Sequence, residues 1–218
     1  MFNLPFPYIV DHIPASSNKR PQFNMEWEFI TIHNTGNPNS TARNERNWLT
    51  NPSNKSSTGY HIAIDSIQAV ECIPLTENAW HAGDGRNGTG NRKSVGIEVC
   101  ESGNYEQTMR NTVLLVAELL KSKNKGIETL RQHNNWDGKN CPRLIRAGHL
   151  GWTWERFISE VEKELRGNVV PQWKKDIMKN AANLGLIDIN MHQPDEQASK
   201  WFVLAVILNA IRYLKGGN

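Results

Sequence analysis

The segment Phe29–Asn34, FITIHN, alternates strictly: Ile30 and Ile32 leave one side of an extended chain, Thr31 and His33 the other. A β-branched run of this kind, bounded by polar and turn-forming residues, is a strand with one aliphatic and one polar face. Three further segments share that character: Tyr60–Asp65 (YHIAID), Ala69–Pro74 (AVECIP) and Val95–Cys100 (VGIEVC). Between and after them the apolar period lengthens, so helices are expected over Ala42–Leu49, over Tyr105–Lys123 with its MRNTVLLVAELLKS core, and over Trp152–Leu165. The fold class is therefore α/β, a mixed central β-sheet flanked by helices. Two long stretches, Thr76–Ser94 and Gln132–Ala147, lack any period and are rich in Gly, Asn, Trp and His. Loops of such length inside a compact domain usually carry function.

The helix ending near Arg166 runs into Gly167, Asn168 and Pro171, a stop signal and short linker. A catalytic-sized domain over residues 1–167 and a small all-helical C-terminal domain over 168–218 are expected. The second reads as two helices, Trp173–Leu184 closed by Gly185 and Pro194 to about Lys215. So short a piece is marginal alone and should dock on the first domain or dimerise. Its Lys174, Lys175, Lys179, Lys200, Arg212 and Lys215 outnumber Asp176, Asp188, Asp195 and Glu196, a slight bias toward anionic partners. Trp173 and Trp201 could stack on sugar, yet both fall at spacings that suit a core.

Composition narrows the classes further. Hydrophobic residues at 38% and eight tryptophans supply a core and exclude a disordered chain. A net charge of +3 with no dense Lys/Arg block argues against nucleic acid as a partner. No run approaches the roughly 18 apolar residues that span a bilayer; Trp201–Ile211 is too short, so membrane insertion is not expected. The opening MFNLPFPYIV has two prolines and no basic leader, and it fails as a secretory signal. Cys72, Cys100 and Cys141 are odd in number and form no CxxC pair, so a disulfide framework is not expected, with a Cys72–Cys100 bridge left open.

The chemistry-bearing residues lie on strand ends and loops. His33 faces away from the aliphatic layer, and His133 and Cys141 lie in the loop RQHNNWDGKNCPRL. Two imidazoles and one thiolate, with a fourth place for water, form a set that catalytic zinc accepts. Each alone has an ordinary structural explanation, a satisfied core histidine or a small buried hydrophobe. Glu98 sits mid-strand in SVGIEVC, where a carboxylate is costly to desolvate unless it is partnered or placed in a cleft. Lys139 stands two residues before Cys141, so in an extended segment both side chains leave the same side.

TIHNT with His33, GYHIAID with Tyr60, AWHAGDG with His81, NRKSVGIEVC with Glu98 and QHNNWDGKNCP with His133, Lys139 and Cys141 follow one another along the chain. In this order they resemble the type-2 zinc-dependent N-acetylmuramoyl-L-alanine amidases, a family similar to peptidoglycan recognition proteins and including many bacteriophage endolysins. The resemblance covers about Glu26 to Glu164. It implies a mixed sheet flanked by helices, with Zn2+ held by His33, His133 and Cys141 in a groove for the glycan-linked stem peptide. It matches Glu98 to a catalytic glutamate, Lys139 to a lysine before the third ligand, and Tyr60 to a tyrosine near the metal. Which of Glu98 and Tyr60 matters more stays open. His81 looks like a groove residue, for substrate or for local structure.

The activity so implied is hydrolysis of the amide between N-acetylmuramic acid and L-alanine, with bacterial peptidoglycan as partner. The chain is expected to be made in the host cytoplasm without a signal peptide and to reach the wall on release, as an endolysin does in host cell lysis. The alternatives are a non-catalytic peptidoglycan-binding module, which typically lacks the cysteine ligand present here, and a muropeptide-recycling amidase, which would need no appendage. The C-terminal helices are read as a wall-binding or dimerisation module. Oligomeric state, host and wall chemotype are left open.

Overall fold

Alternation and helical period meet in a six-stranded mixed sheet in a computed structural model that describes residues 2–167, 172–187 and 200–214. The strands are β1 (Tyr8–Val10), β2 (Phe29–Asn34), β3 (Ile62–Ile64), β4 (Ala69–Glu71), β5 (Ser94–Val99) and β6 (Leu130–Gln132), in the order β1-β4-β3-β5-β2-β6. Only the β3–β4 pairing is antiparallel; β3, β5, β2 and β6 run parallel. The carboxyl ends of β5, β2 and β6 therefore meet at one edge. In the β2–β5 register His33 stands opposite Glu98.

Helices α1 (Ala42–Thr50), α3 (Tyr105–Ser122) and α6 (Trp154–Arg166) are the long ones of the first unit. Each starts on a side-chain cap, with Thr41, Asn104 and Thr153 accepting from the N–H of Asn44, Gln107 and Arg156. Short helices α2 (Thr89–Lys93), α4 (Asn134–Asp137) and α5 (Arg143–Arg146) punctuate the two stretches read as loops. Four or five residues are too few to display a period, which is why the sequence shows only loop there.

The two faces of the sheet have different fates. Ile30 and Ile32 of β2, Ile62 and Ile64 of β3, and Val95, Ile97 and Val99 of β5 join Met109, Val116 and Leu120 of α3 and Phe157 and Val161 of α6 in the main core. A side chain such as the fully buried Phe157 contributes roughly 1.5–3 kcal/mol on leaving water. On the opposite face, Ala63 and Val70 pack with Ala42, Leu49 and Tyr60, under α1. Where that face crosses β2 and β5, its residues are Thr31, His33, Gly96 and Glu98.

Several boundaries differ from the sequence reading. The strand expected over Tyr60–Asp65 shrinks to Ile62–Ile64, because Asp65 turns the chain by accepting from the N–H of Ile67 and Gln68. Ala69–Pro74 shrinks to Ala69–Glu71. The last helix of the first unit begins at Trp154, since Thr153 is its cap and Trp152 is buried ahead of it. Strands β1 and β6 have three residues each and carry no readable alternation. All three cysteines are buried free thiols.

The chain divides into two compact units, Met1–Gly167 and Asn168–Asn218. The second contains α7 (Gln172–Asn183) and α8 (Lys200–Leu214). Gly185, at φ 66°, takes the left-handed conformation after α7, and the N–H of Leu186 returns to the carbonyl of Ala181. The expected limits Pro194 and Lys215 of the last helix, and the side chains of Trp173 and Trp201, lie outside the described residues. Val203, Leu204, Ile207, Leu208, Ile211 and Leu214 of α8 are exposed. Among the described residues no helix is long and apolar enough to cross a membrane.

Candidate metal centre

Parallel strands deliver the site. His33 is the fifth residue of β2, and His133 follows β6 directly, its N–H reaching the Ile32 carbonyl at 3.3 Å. Cys141 is brought back by its own carbonyl, which accepts from Asn134 N–H at 3.0 Å, and by Asn34 Oδ1, which holds the Leu144 N–H at 3.0 Å. His33 Nδ1 lies 3.0 Å from His133 Nδ1 and 3.8 Å from Cys141 Sγ. The three potential ligand atoms fall within 4.8 Å of one another, and all three residues are buried.

Donors about 2.0–2.3 Å from one tetrahedral ion sit about 3.3–3.6 Å apart, so this spacing and this soft-plus-imidazole donor set fit a metal site. Burial, followed by the neighbouring His81 and His133, pushes the His33 imidazole well below its usual range. Burial also lowers His133, against the pull of Asp137. Both rings are thereby kept neutral, the state in which an imidazole can ligate. Burial pushes the Cys141 thiol up to about 11.

Glu98 lines the same cavity of about 860 Å³, together with Lys139, Phe23, Trp80 and Arg86. Its Oε2 is sealed from solvent and has no hydrogen-bond partner among the described residues. Burial, then the charge of Glu45, pushes the Glu98 carboxyl up to about 8, with Lys139 pulling the other way. Lys139 is exposed, and its positive charge also acts on His33, His133 and Cys141.

The two remaining sequence candidates part: His81 also lines the cavity, and Tyr60 does not. Tyr60 is buried in the second core, where its hydroxyl lies 2.9 Å from both the carbonyl and Oε2 of Glu45. His81 is buried behind His33, with Nδ1 3.0 Å from His33 Nε2 and Nε2 3.0 Å from the Ser94 carbonyl. Burial takes its imidazole down to about 3. The loop that carries it is built by Asp84, which accepts from Gly90 and Asn91, and by Asn91 Oδ1, which accepts from His81 and Ala82 at 2.8 Å each.

Sequence reasoning passed over Asp137, whose Oδ2 lies 3.2 Å from His133 Nε2. The signal was present: Asp137 stands four residues after His133, one helical turn on, within the short α4. It also passed over Phe23 and Arg86, which wall the cavity with Trp80. Phe23 meets Trp80 edge-on at 6.3 Å, and the Arg86 guanidinium stands 5.4 Å from the Phe23 ring centre. Phe23 lies in no strand or helix and forms no pattern with either residue in sequence.

A mixed sheet carrying two imidazoles and a thiol at the carboxyl edge of its parallel strands, beneath an open cleft, has the make-up of a metal-dependent hydrolase. Comparison with known proteins makes this specific. The chain belongs to the N-acetylmuramoyl-L-alanine amidase family, whose profile matches residues 23–144. It is 43% identical over 150 residues to N-acetylmuramoyl-L-alanine amidase XlyB of Bacillus subtilis (strain 168), covering 66% of this chain and 45% of that protein. It is 43% identical over 147 residues to CwlA of the same strain, covering 65% and 52%. The chain thus spans about half the length of the curated relatives it matches. Among solved structures, the catalytic domain of XlyA superposes with a TM-score of 0.65 at 36% identity, over 71% of this chain and 98% of that one. PlyL does so with a TM-score of 0.64 at 35% identity, over 76% and 100%.

Proposed function

We propose that the chain is a zinc-dependent peptidoglycan hydrolase that cleaves the amide between N-acetylmuramic acid and the L-alanine of the stem peptide, in host cell lysis of the endolysin kind. The observation that carries this reading is the convergence of His33, His133 and Cys141 beside an unpartnered carboxyl oxygen. A zinc ion held by these three would make hydroxide available at neutral pH and polarise the scissile carbonyl. With a metal cation beside it favouring the ionised carboxylate, Glu98 would take the proton of the attacking water and return it to the departing amine. Lys139 stabilises the developing oxyanion from the rim of the cleft. The Phe23, Trp80 and Arg86 wall receives the glycan-linked peptide. Tyr60 holds Glu45 and takes no part in proton transfer.

Mass spectrometry of digested peptidoglycan tests the reaction. New free L-alanine amino termini, abolished by chelation and restored by zinc, are expected; new reducing sugars, or full activity after verified metal removal, would overturn it. Residues 168–218 are assigned as an appendage for anionic wall polymers, on the basic bias of their sequence. Deleting them should reduce co-sedimentation with purified walls, and undiminished association would remove that role.

A further inference from the structure

We propose that His81 and Asp137 are positioning residues that fix the ring tautomers of His33 and His133, so that both Nδ1 lone pairs face Cys141 before a metal arrives. The inference rests on the reading of His33, His133 and Cys141 as the ligand set, and it follows from hydrogen-bond bookkeeping. A neutral imidazole has one N–H and one bare nitrogen. The Ser94 carbonyl can only accept, so His81 Nε2, 3.0 Å away, carries the proton and donates. His81 Nδ1 is then bare, and His33 Nε2 must donate to it across 3.0 Å. That leaves His33 Nδ1 bare. On the other side the Asp137 carboxylate accepts from His133 Nε2, which leaves His133 Nδ1 bare as well.

Two lone pairs thus confront each other across 3.0 Å with Cys141 Sγ beside them, an arrangement that a cation relieves. Placing a proton between the two Nδ1 atoms instead would set a bare His133 Nε2 against the Asp137 carboxylate, or a bare His33 Nε2 against the bare His81 Nδ1, or require an imidazolium.

Both supports are themselves held. Ser94 opens β5, so the His81 relay is anchored in the sheet. The His81 ring is wedged over Gly96, where a Cβ would come within 2.6 Å of its Cγ, and it stands nearly perpendicular to His33, at 87°. Asp137 is braced through Oδ1 by the Lys139 N–H at 2.9 Å, and its carboxylate fills the space that a side chain at Gly83 would take.

The test uses the full chain in two measurements. Long-range ¹H–¹⁵N spectra of the metal-free protein should read His33, His81 and His133 as Nε2–H tautomers. Competition with a chromophoric chelator should then show zinc binding about 10- to 100-fold weaker in Asp137→Ala, with partial rescue in Asp137→Asn, which keeps an acceptor. His81→Asn, whose side-chain oxygen replaces the Nδ1 acceptor, should keep the His33 tautomer, and His81→Leu should lose it. If the leucine variant fails to fold, the wild-type spectra and the Asp137 pair still decide. Nδ1–H signals from His33 or His133 in the wild type, or unchanged zinc affinity in Asp137→Ala, would overturn the proposal. Nε2–H tautomers in a wild type that binds no zinc would leave the relay standing and remove the metal reading instead.

Discussion

Glu98→Gln removes a titrating group and keeps the side chain's shape, so it separates what this carboxyl does for the reaction from what it does to the fold. Glu98 Oε2 is sealed and unpartnered, and the carboxyl titrates near 8 in the folded chain against an ordinary value of 4.5. Between those values the unfolded chain is ionised while the folded chain keeps its proton. Stability is therefore highest below about 4.5 and is lost as pH rises toward 8, beyond which the loss is constant. At pH 7 the gap of roughly 2.5 units corresponds to about 3 kcal/mol at about 1.4 kcal/mol per unit. Glutamine carries no such penalty. In the metal-free state Glu98→Gln should thus be more stable than wild type by about that amount at pH 7, by more at pH 8, and by little at pH 5. Urea unfolding of chelated protein at these three pH values reads the difference, and groups titrating identically in both chains cancel. Turnover by the zinc-loaded variant should fall by about 10²- to 10⁴-fold. Parallel stability curves for the two chains would refute the buried-carboxyl argument, and an unaffected turnover would remove Glu98 as the proton carrier.

Two further outcomes follow from neighbouring groups. Lys139→Met should lower kcat by about 10²- to 10³-fold with little change in KM if the ammonium stabilises developing charge; a raised KM at constant kcat would make it a binding residue. His61 is buried, with Nδ1 accepting from the Gly96 N–H and Nε2 against the Glu77 carbonyl, and burial takes it from 6.5 down to about 4. Its contribution is complete above about 6.5 and is lost as pH falls through about 4, on the order of 3 kcal/mol in all. His61→Gln should flatten that acid limb in thermal unfolding, and an unchanged limb would assign the acid sensitivity elsewhere.

How much of this was legible depends on the length over which a residue acts. FITIHN displayed its two faces because six residues alternate without interruption, and β2 spans the whole segment. The same parity sent His33 and Glu98 to the polar face. Tyr8–Val10 and Leu130–Gln132 acquire strand character only by pairing with β4 and β2, a contact that no local pattern encodes. His33, His133 and Cys141 were legible as a set because motif order along the chain tied them together. Asp137 lies inside one of those motifs, and its four-residue spacing from His133 was readable, but it marks a partner only once α4 is known to be a helical turn. Tyr60 shows the reverse case. The resemblance matches it to a tyrosine near the metal, and its hydroxyl meets Glu45 on α1, a residue with nothing in its surroundings to mark it as a partner.

The polar face of β2 and β5 explains why these placements are mutually dependent. Buried polar groups are tolerated when they satisfy one another, and here they do so in a chain: Thr31 Oγ1 with Ser94 Oγ, Trp136 Nε1 with Thr31 Oγ1, Ser94 carbonyl with His81, and His81 with His33. Gly96 allows that chain to close, since any side chain there would occupy the His81 ring. Among the described residues the buried side-chain atoms left out of such pairing are Asn78 Nδ2 and Glu98 Oε2. Of these, Glu98 lines the cavity that His33, His133 and Cys141 also line. A fold that satisfies every neighbour on this face and leaves that one oxygen free keeps it available for a proton that arrives with substrate, and the stability it forgoes for this is the quantity that Glu98→Gln would return.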